Sequence, residues 1–537
     1  MKKRIISVVL LAAMLTSLLA GCGNNVDSKV TENKIDYDYY QDLNVIDDNY
    51  RNYYEIFVYS FYDSNGDGIG DLQGVIEKLD YIEYMGFNGI WLMPIMKSTT
   101  YHKYDVVDYY TVDYEYGTME DFEQLIEECH KRDINVVIDF VMNHTSSSHQ
   151  WFKEATKYLR GLPKGAEPDL KECPYVEYYN FKQTPKGGTF YGVNSNWYYE
   201  GEFWSEMPDL NFESEALREE FKEIAKFWID KGVDGFRMDA VMHIYEDQTD
   251  KNNELLDWFY SYCKELNPDF YMVSEVWANQ SVIQAYYESN TPSMFNFTFG
   301  QAEGHITKTA KGAMTASTFI DQMIAWDEEN SATTDAYIDA PFLTNHDNVR
   351  ISNSLNNNED LIKFAGGIMM TMNGSPFVYY GEEIGMTSAG DKDENKRLPL
   401  NWSDASNTGE TGGPAGCNLS LQSAFEGVEE QLADGHSILN YYRRAIRLRN
   451  ENPELARGDM KKIDSLCTES VGTLTKTYEE STIAVIYNTS EEVVELTLTD
   501  SEIAEMEIRG YLTLNGEKIT LKNGVLTLPA RSICILK

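Results

Sequence analysis

The chain has 537 residues, 42% of them hydrophobic and only 14 of them proline, which is the composition of a folded protein of two or three domains. Its formal net charge of −42 excludes a nucleic-acid backbone as partner, because phosphates would be repelled, and leaves a neutral substrate unaffected. Apart from Cys22, the six cysteines are scattered without a CxxC pair, so neither zinc nor a dense disulfide scaffold is indicated.

The first 22 residues form a targeting segment. Met1-Lys-Lys-Arg4 is basic, Ile5 to Ala20 is apolar, and Leu19-Ala-Gly-Cys22 closes it. The apolar run is shorter than the roughly 20 residues a spanning helix needs. It resembles a bacterial lipoprotein signal, which implies cleavage that leaves Cys22 as a lipidated first residue. The chain would then be anchored to the cell membrane and face the outside of the cytoplasm. The competing reading is an ordinary secretory signal. Residues 23–48, rich in Asn, Asp, Ser and Tyr, read as a flexible tether.

From residue 55, short apolar runs alternate with amphipathic stretches. Glu55-Ile-Phe-Val-Tyr-Ser60 and Gly89-Ile-Trp-Leu-Met-Pro94 read as strands, with helical apolar spacing from Leu72 to Met85 between them. Asn135-Val-Val-Ile-Asp-Phe140 follows a helix at 119–132, and Gly235-Phe-Arg-Met-Asp239 follows one at 214–231. Residues 271–275, 293–297, 340–345 and 376–380 complete eight strands, mostly separated by helices. That alternation predicts an α/β fold, a parallel (β/α)8 barrel built from residues 49–143 and 211–452. Residues 144–210 are rich in Tyr, Gly, Pro and Trp without sustained periodicity; too long for bare loop, they read as an inserted domain. After a helix near 436–451, β-like runs at 472–478, 483–487 and 524–528 predict a C-terminal antiparallel β-sandwich over 453–537. Cys129 and Cys263 fall on helical apolar positions and read as core.

In a barrel of this kind the active site lies at the C-terminal ends of the strands. Four strands end in acids, Asp139, Asp239, Glu275 and Asp347, with His144 and His346 close by in the loops. Side chains alternate along a strand, so Arg237 and Asp239 share a face, and the guanidinium holds the carboxylate ionised and aimed. A carboxylate with fixed aim and no proton to lose is a nucleophile. A structural Arg–Asp pair would account for one such acid, not for four on one rim. The sequence has no Ser/His/Asp arrangement and no phosphate-cradling glycine loop. Carboxylates as nucleophile and proton donor are the kit for glycosidic bond cleavage.

Asp139-Phe-Val-Met-Asn-His144, Gly235-Phe-Arg-Met-Asp-Ala-Val-Met-His243, Ser274-Glu-Val-Trp277 and Phe342-Leu-Thr-Asn-His-Asp347 resemble, in order, the four signature regions of the α-amylase family of glycoside hydrolases. Met207-Pro-Asp-Leu-Asn211 resembles its motif in the inserted domain, and Gly374-Ser-Pro-Phe-Val-Tyr-Tyr-Gly-Glu-Glu383 its eighth-strand motif. The resemblance implies Asp239 as nucleophile, Glu275 as general acid/base and Asp347 as transition-state stabiliser. It places Arg237, His144 and His346 on the sugar at the −1 position, stacks Tyr104 on it, and makes His102, Asp105 and Arg350 further contacts. Glu275 must then be protonated near neutral pH, so burial or a neighbouring anion should raise its pKa. Many family members carry lysine where Met242 stands, so binding on the leaving side is expected to differ. Ala240, just after the nucleophile, resembles the 1,4-acting members; the 1,6-specific ones usually carry valine there.

Asp63-Ser-Asn-Gly-Asp-Gly-Ile-Gly-Asp71 places oxygen side chains at alternate positions, a hard-cation arrangement. Its twelfth position is Gly74, not a bidentate glutamate, so it is no EF-hand; the plain alternative is a solvated acidic turn. The family resemblance implies one structural Ca²⁺ held by Asp63, Asn65, Asp67, Asp71 and the Ile69 carbonyl, and a second site using Asn143, Asp209 and His243. The expected protein is a monomeric, lipid-anchored α-glucan hydrolase acting on α-1,4 bonds. Alternatives are an oligo-1,6-glucosidase or transglycosylase on the same scaffold, and, in another class, a non-catalytic glucan-binding lipoprotein.

Overall fold

The computed structural model describes residues 49–537 except 247, 389 and 391; the signal, the tether to residue 48 and Cys22 lie outside the described residues. Parallel strands Tyr53–Ile56, Gly89–Leu92, Asn135–Phe140, Gly235–Met238, Tyr271–Ser274 and Ser293–Met294 lie side by side in that order, and Phe377–Tyr379 pairs with the other edge of the first. The expected strand at 340–345 is reduced to two parallel bridges, Ala340 with Phe295 and Phe342 with Phe377. Pro341 sits between them and has no N–H to give a ladder, although its carbonyl still accepts from Phe377 N–H at 2.9 Å. These bridges close the ring, and the fold is a (β/α)8 barrel. Its strands are buried almost throughout because helices cover one face and the barrel interior the other.

The expected helix from Leu72 to Met85 is two, Leu72–Glu77 and Leu79–Met85, meeting at Lys78. Asp71 caps the first by accepting from Gly74 N–H. The helices Met119–His130, Glu215–Asp230 and Ile438–Asn450 start at hydroxyl caps Thr118, Ser214 and Ser437. Each turns an apolar stripe, such as Leu217, Phe221, Ile224 and Trp228, onto the sheet.

Between the third and fourth strands the chain forms a helix, Gln150–Gly161, that the sequence reading did not register. Its buried face is Trp151, Phe152, Ala155 and Leu159. A three-stranded antiparallel sheet of Phe181–Lys182, Tyr198–Glu200 and Phe190–Gly192 follows. The bridge from His144 to Asp209 ties the two ends of this segment together at the barrel rim.

The C-terminal residues form two antiparallel sheets of five and three strands. The run Ile483-Ala-Val-Ile-Tyr487 is apolar without alternation because both faces of its sheet are buried. Ala484 and Ile486 enter the core between the sheets, while Ile483, Val485 and Tyr487 join the barrel's core. Lys476 crosses the same boundary fully buried, its Nζ donating to the Thr371 carbonyl at 2.8 Å, Asn373 Oδ1 at 2.7 Å and the Leu455 carbonyl at 2.9 Å.

Candidate active site

The centre of the site is Arg237, on the fourth barrel strand and 0% exposed. Its Nη1 donates to Asp139 Oδ1 at 2.9 Å and to Asp239 Oδ1 at 2.6 Å. Its Nη2 lies 3.0 Å from Glu275 Oε1, an ion pair without hydrogen-bond alignment. The indole of Trp91, on the second strand, lies under the guanidinium at 5.2 Å. One planar cation therefore holds three carboxylates from the ends of the third, fourth and fifth strands, as only a fork of donors can.

Glu275 is raised above the ordinary carboxyl range, first by burial and then by Asp239 and Asp347, with Arg237 pulling the other way. Its Oε2 accepts from the Ala240 N–H at 3.1 Å. That amide is aimed by a left-handed backbone at Ala240, φ 50°, a conformation that costs a residue with a Cβ about 1–2 kcal/mol.

Asp347, 30% exposed, behaves oppositely. Burial opposes its charge, but His346 Nε2 at 3.1 Å and Arg397 Nη2 at 2.8 Å hold it well below the usual range. His346 is raised to about 9: burial works against its charge, and Asp347 and Glu55 outweigh burial. Tyr104 stacks on the His346 ring at 5.5 Å and donates its hydroxyl to Asp139 Oδ2 at 3.1 Å. His144 is buried on the cleft wall, and its Nε2 has no hydrogen-bond partner among the described residues.

These residues line a cleft of about 660 Å³, in the size range of small-molecule sites. Asp239, Glu275, Asp347, Tyr104, His144 and His102 all stand on its wall. Arg237 is the floor beneath them. Three expected contacts do not stand on that wall: His346 is enclosed between Glu55, Tyr104 and Asp347, and Asp105 and Arg350 turn elsewhere. Asp105 is enclosed, its carboxylate accepting from Ser98, Thr99, Thr100 and Ser146, so it ties the loop that carries His102 and Tyr104. Arg350 is buried against Tyr379 and Tyr380 and donates to the Tyr380 carbonyl at 2.6 Å. Sequence reasoning missed Glu55, because the run was read as starting there whereas the strand is Tyr53–Ile56 and puts Glu55 near its inner end. It also missed Arg397, in a loop without periodicity, and the half-exposed rim aromatics Phe203, Trp204 and Trp277.

The loop at 63–71 wraps on itself. Asp63 accepts from the Asn65, Gly66 and Gly68 amides, Asp67 from Ile69 N–H, and Asp71 from Ser64 and Gly74. Gly66 and Gly68 adopt the positive φ that this wrap requires. Its donors are of the hard type, but no three Asp, Glu, His or Cys side chains converge as a metal cage among the described residues. In the second group Asn143 Nδ2 donates to Asp209 Oδ1 at 3.3 Å and Asn143 Oδ1 is buried without a partner among the described residues, while His243 stands against Phe203.

A barrel whose strand ends gather an ionised carboxylate and a protonatable one over a buried arginine defines a glycosidase. Residues 55–458 match the model of the alpha amylase catalytic domain, and the chain belongs to the alpha-amylase family. It is 38% identical over 492 residues to "Alpha-amylase 3" of Dictyoglomus thermophilum, covering 90% of this chain and 93% of that protein. It is 30% identical over 510 residues to "Glucan 1,6-alpha-glucosidase" of Streptococcus pneumoniae, covering 83% and 92%. Among solved structures, Eubacterium rectale Amy13B superposes with a TM-score of 0.89 at 42% identity, covering 96% of this chain and 99% of that one.

Replacing Arg237 by lysine supplies one point charge where a fork serves three carboxylates. Arg237→Lys is expected to lower kcat/KM on a chromogenic α-glucoside about 10²–10³-fold and to lower the melting temperature. A near-normal rate would show that the forked geometry is dispensable.

Proposed function

We propose that this glycosidase is a retaining α-glucan hydrolase that cuts α-1,4 bonds in starch or maltodextrins. The observation that carries the reading is the flanking of one guanidinium by Asp239 and Glu275, held on different terminal nitrogens. That arrangement suits the roughly 5–5.5 Å separation of a retaining pair. Asp239, kept beside Arg237, attacks the anomeric carbon as Glu275 delivers its proton to the departing glycosidic oxygen. The glycosyl–Asp239 ester is then opened by water, whose proton Glu275 takes back. Asp347, held ionised by His346 and Arg397, accepts from sugar hydroxyls as positive charge develops at the ring, and His144 Nε2 gives the sugar a further polar contact. Ala240 and the relative named alpha-amylase favour 1,4 bonds; the relative named a glucan 1,6-alpha-glucosidase favours the alternative.

Product analysis on starch, pullulan and isomaltose is the test. Short maltooligosaccharides from starch with isomaltose untouched are expected, and the reverse selectivity would transfer the assignment to 1,6 bonds. Asp239→Asn and Glu275→Gln should each cost several powers of ten in kcat with the fold retained, and near-normal turnover by either would remove the mechanism.

Ca²⁺ is proposed as a structural ion at the 63–71 loop, supported by its hard donor set, with Asn143, Asp209 and His243 as a second site supported by Asn143 Oδ1, which has no partner among the described residues. An ion bound only by the folded chain, at 100 times its Kd, adds about 2.7 kcal/mol of stability. A chelator should therefore lower the melting temperature of the wild type, and Asp67→Ala should remove most of that response. An unmoved melting curve, with no calcium co-purifying, would leave an acidic turn.

Anchoring through a lipid on Cys22, with the catalytic barrel held outside the cytoplasm, is supported by the residue pattern at 1–22. Mass spectrometry of the membrane fraction should find the mature chain starting at a diacylated Cys22. Cys22→Ser should misplace the protein without changing activity per folded molecule, and an unlipidated wild type in the medium would count against the anchor.

A further inference from the structure

Glu55 is 1% exposed on the first barrel strand and has no part in the chemistry described above. A carboxylate so enclosed is unfavourable unless it is paired. Its partner is His346. Glu55 Oε1 lies 2.6 Å from Nδ1 and also accepts from the His346 backbone N–H at 3.4 Å. The other ring nitrogen, Nε2, faces Tyr104 Oη at 2.6 Å and Asp347 Oδ2 at 3.1 Å. Burial raises Glu55 and its pairing with His346 pulls the other way; with Glu55 and Asp347 ionised, their oxygens accept and do not donate, so both ring nitrogens carry hydrogen. Tyr104 gives its own hydrogen to Asp139 and therefore accepts from Nε2. A continuous run of donors and acceptors thus links Glu55, His346, Tyr104, Asp139, Arg237 and Asp239. Glu55 is its terminal anion, on the side away from the cleft.

We propose that Glu55 is the positioning residue for His346: by holding Nδ1–H it fixes the ring so that Nε2–H is donated to Tyr104 and the ring's charge stands beside Asp347, which steadies both of these groups against the sugar at −1. The proposal rests on the α-glucan hydrolase reading for its second half and on the geometry alone for its first. A histidine clamped through one nitrogen by a carboxylate keeps its other nitrogen in a defined state and direction, as in metal and triad sites. The other charged groups around the ring are Asp139 from the third strand, Glu275 after the fifth, Arg237 from the fourth, which acts on Glu55 and Tyr104, and Arg397, whose Nε donates to the His346 carbonyl at 3.2 Å. The edge of Trp91 packs on it at 5.7 Å. Arg237 and Arg397 disfavour a cationic ring, so the anion behind Nδ1 is what sustains it alongside Asp347.

The test uses full-length protein labelled with ¹⁵N in its eight histidines, followed by long-range ¹H–¹⁵N spectra against pH, with His346 assigned by the signal lost in His346→Gln. The wild-type ring should titrate near 9. Glu55→Gln, nearly isosteric but uncharged, should move that midpoint down by at least about one pH unit and lower kcat on maltooligosaccharides about tenfold, with KM changed less. Added to His346→Gln, the same substitution should cost less than about threefold more, because its effect runs through that ring. Glu55→Asp, which keeps the charge on a shorter arm, should hold the titration high while kcat falls, and it serves if Glu55→Gln does not fold. An unmoved His346 titration in folded Glu55→Gln, or additive losses in the double variant, would overturn the proposal. The spectra need no substrate, so a wild type inactive on every α-glucan would refute the assigned function and leave the Glu55–His346 pairing to be decided separately.

Discussion

A guanidinium with no exposed surface cannot keep its charge without anions, and those anions cannot be buried without it. Arg237 and its three carboxylates satisfy this constraint together, and the geometry of the cleft follows from it. The acids come from the ends of three adjacent strands, so their spacing is set by the pitch of a parallel sheet and not by any loop. The indole of Trp91 completes the enclosure from below. Catalytic precision here is a property of the barrel's rigid part, and the inserted segment and the eighth-strand loops add walls to a site already aimed.

The strain at Ala240 belongs to the same economy. A left-handed residue directly after Asp239 turns the chain off the strand and points its amide at Glu275 Oε2. One backbone unit thereby connects Asp239 and Glu275. The hydrogen bond biases Glu275's orientation while burial governs its proton, so aim and acidity are set by different neighbours.

The barrel was legible because parallel strands covered on both faces leave near-continuous apolar runs between amphipathic helices, and the acids stood at the ends of those runs. Where legibility failed, the reasons are specific. Pro341 gave an apolar run that reads as a strand but can form only bridges. Lys78 divides one periodic helix into two without any proline or glycine to announce it. The helix Gln150–Gly161 is set in a segment of aromatics and glycines, so its stripe was lost in a composition that suggested irregular chain. Asp105 and Arg350 stood beside true cleft residues in sequence, yet their side chains turn inward to loop hydroxyls and to a backbone carbonyl, a difference of direction that spacing does not encode. Glu55 illustrates the reverse: two residues of strand boundary decided whether a charge looked like a solvated start or a buried end.

The site also separates its acids electrostatically. Four carboxyl groups around one cleft would repel one another into shared, ill-defined protonation if their surroundings were alike. Instead each has a distinct set of neighbours. Asp347 has His346 and Arg397 and stays ionised. Asp139 shares Arg237 from a fully buried position and is raised by that burial. Glu275 meets the guanidinium off-axis, accepts a neutral amide, and is raised. Burial thus raises Glu275, at the cleft wall, while Asp347 resists a proton. Environments that drive neighbouring titratable groups apart are what allow one carboxyl to act as acid while others serve as anions. The cations that create this division, Arg237, Arg397 and the His346 ring, come from the fourth strand, the loop beyond the eighth and the turn after the seventh position. Closure of the barrel is thus a requirement of the chemistry as well as of the fold, since an open sheet would leave Asp347 and its cations on the far edge from Glu275.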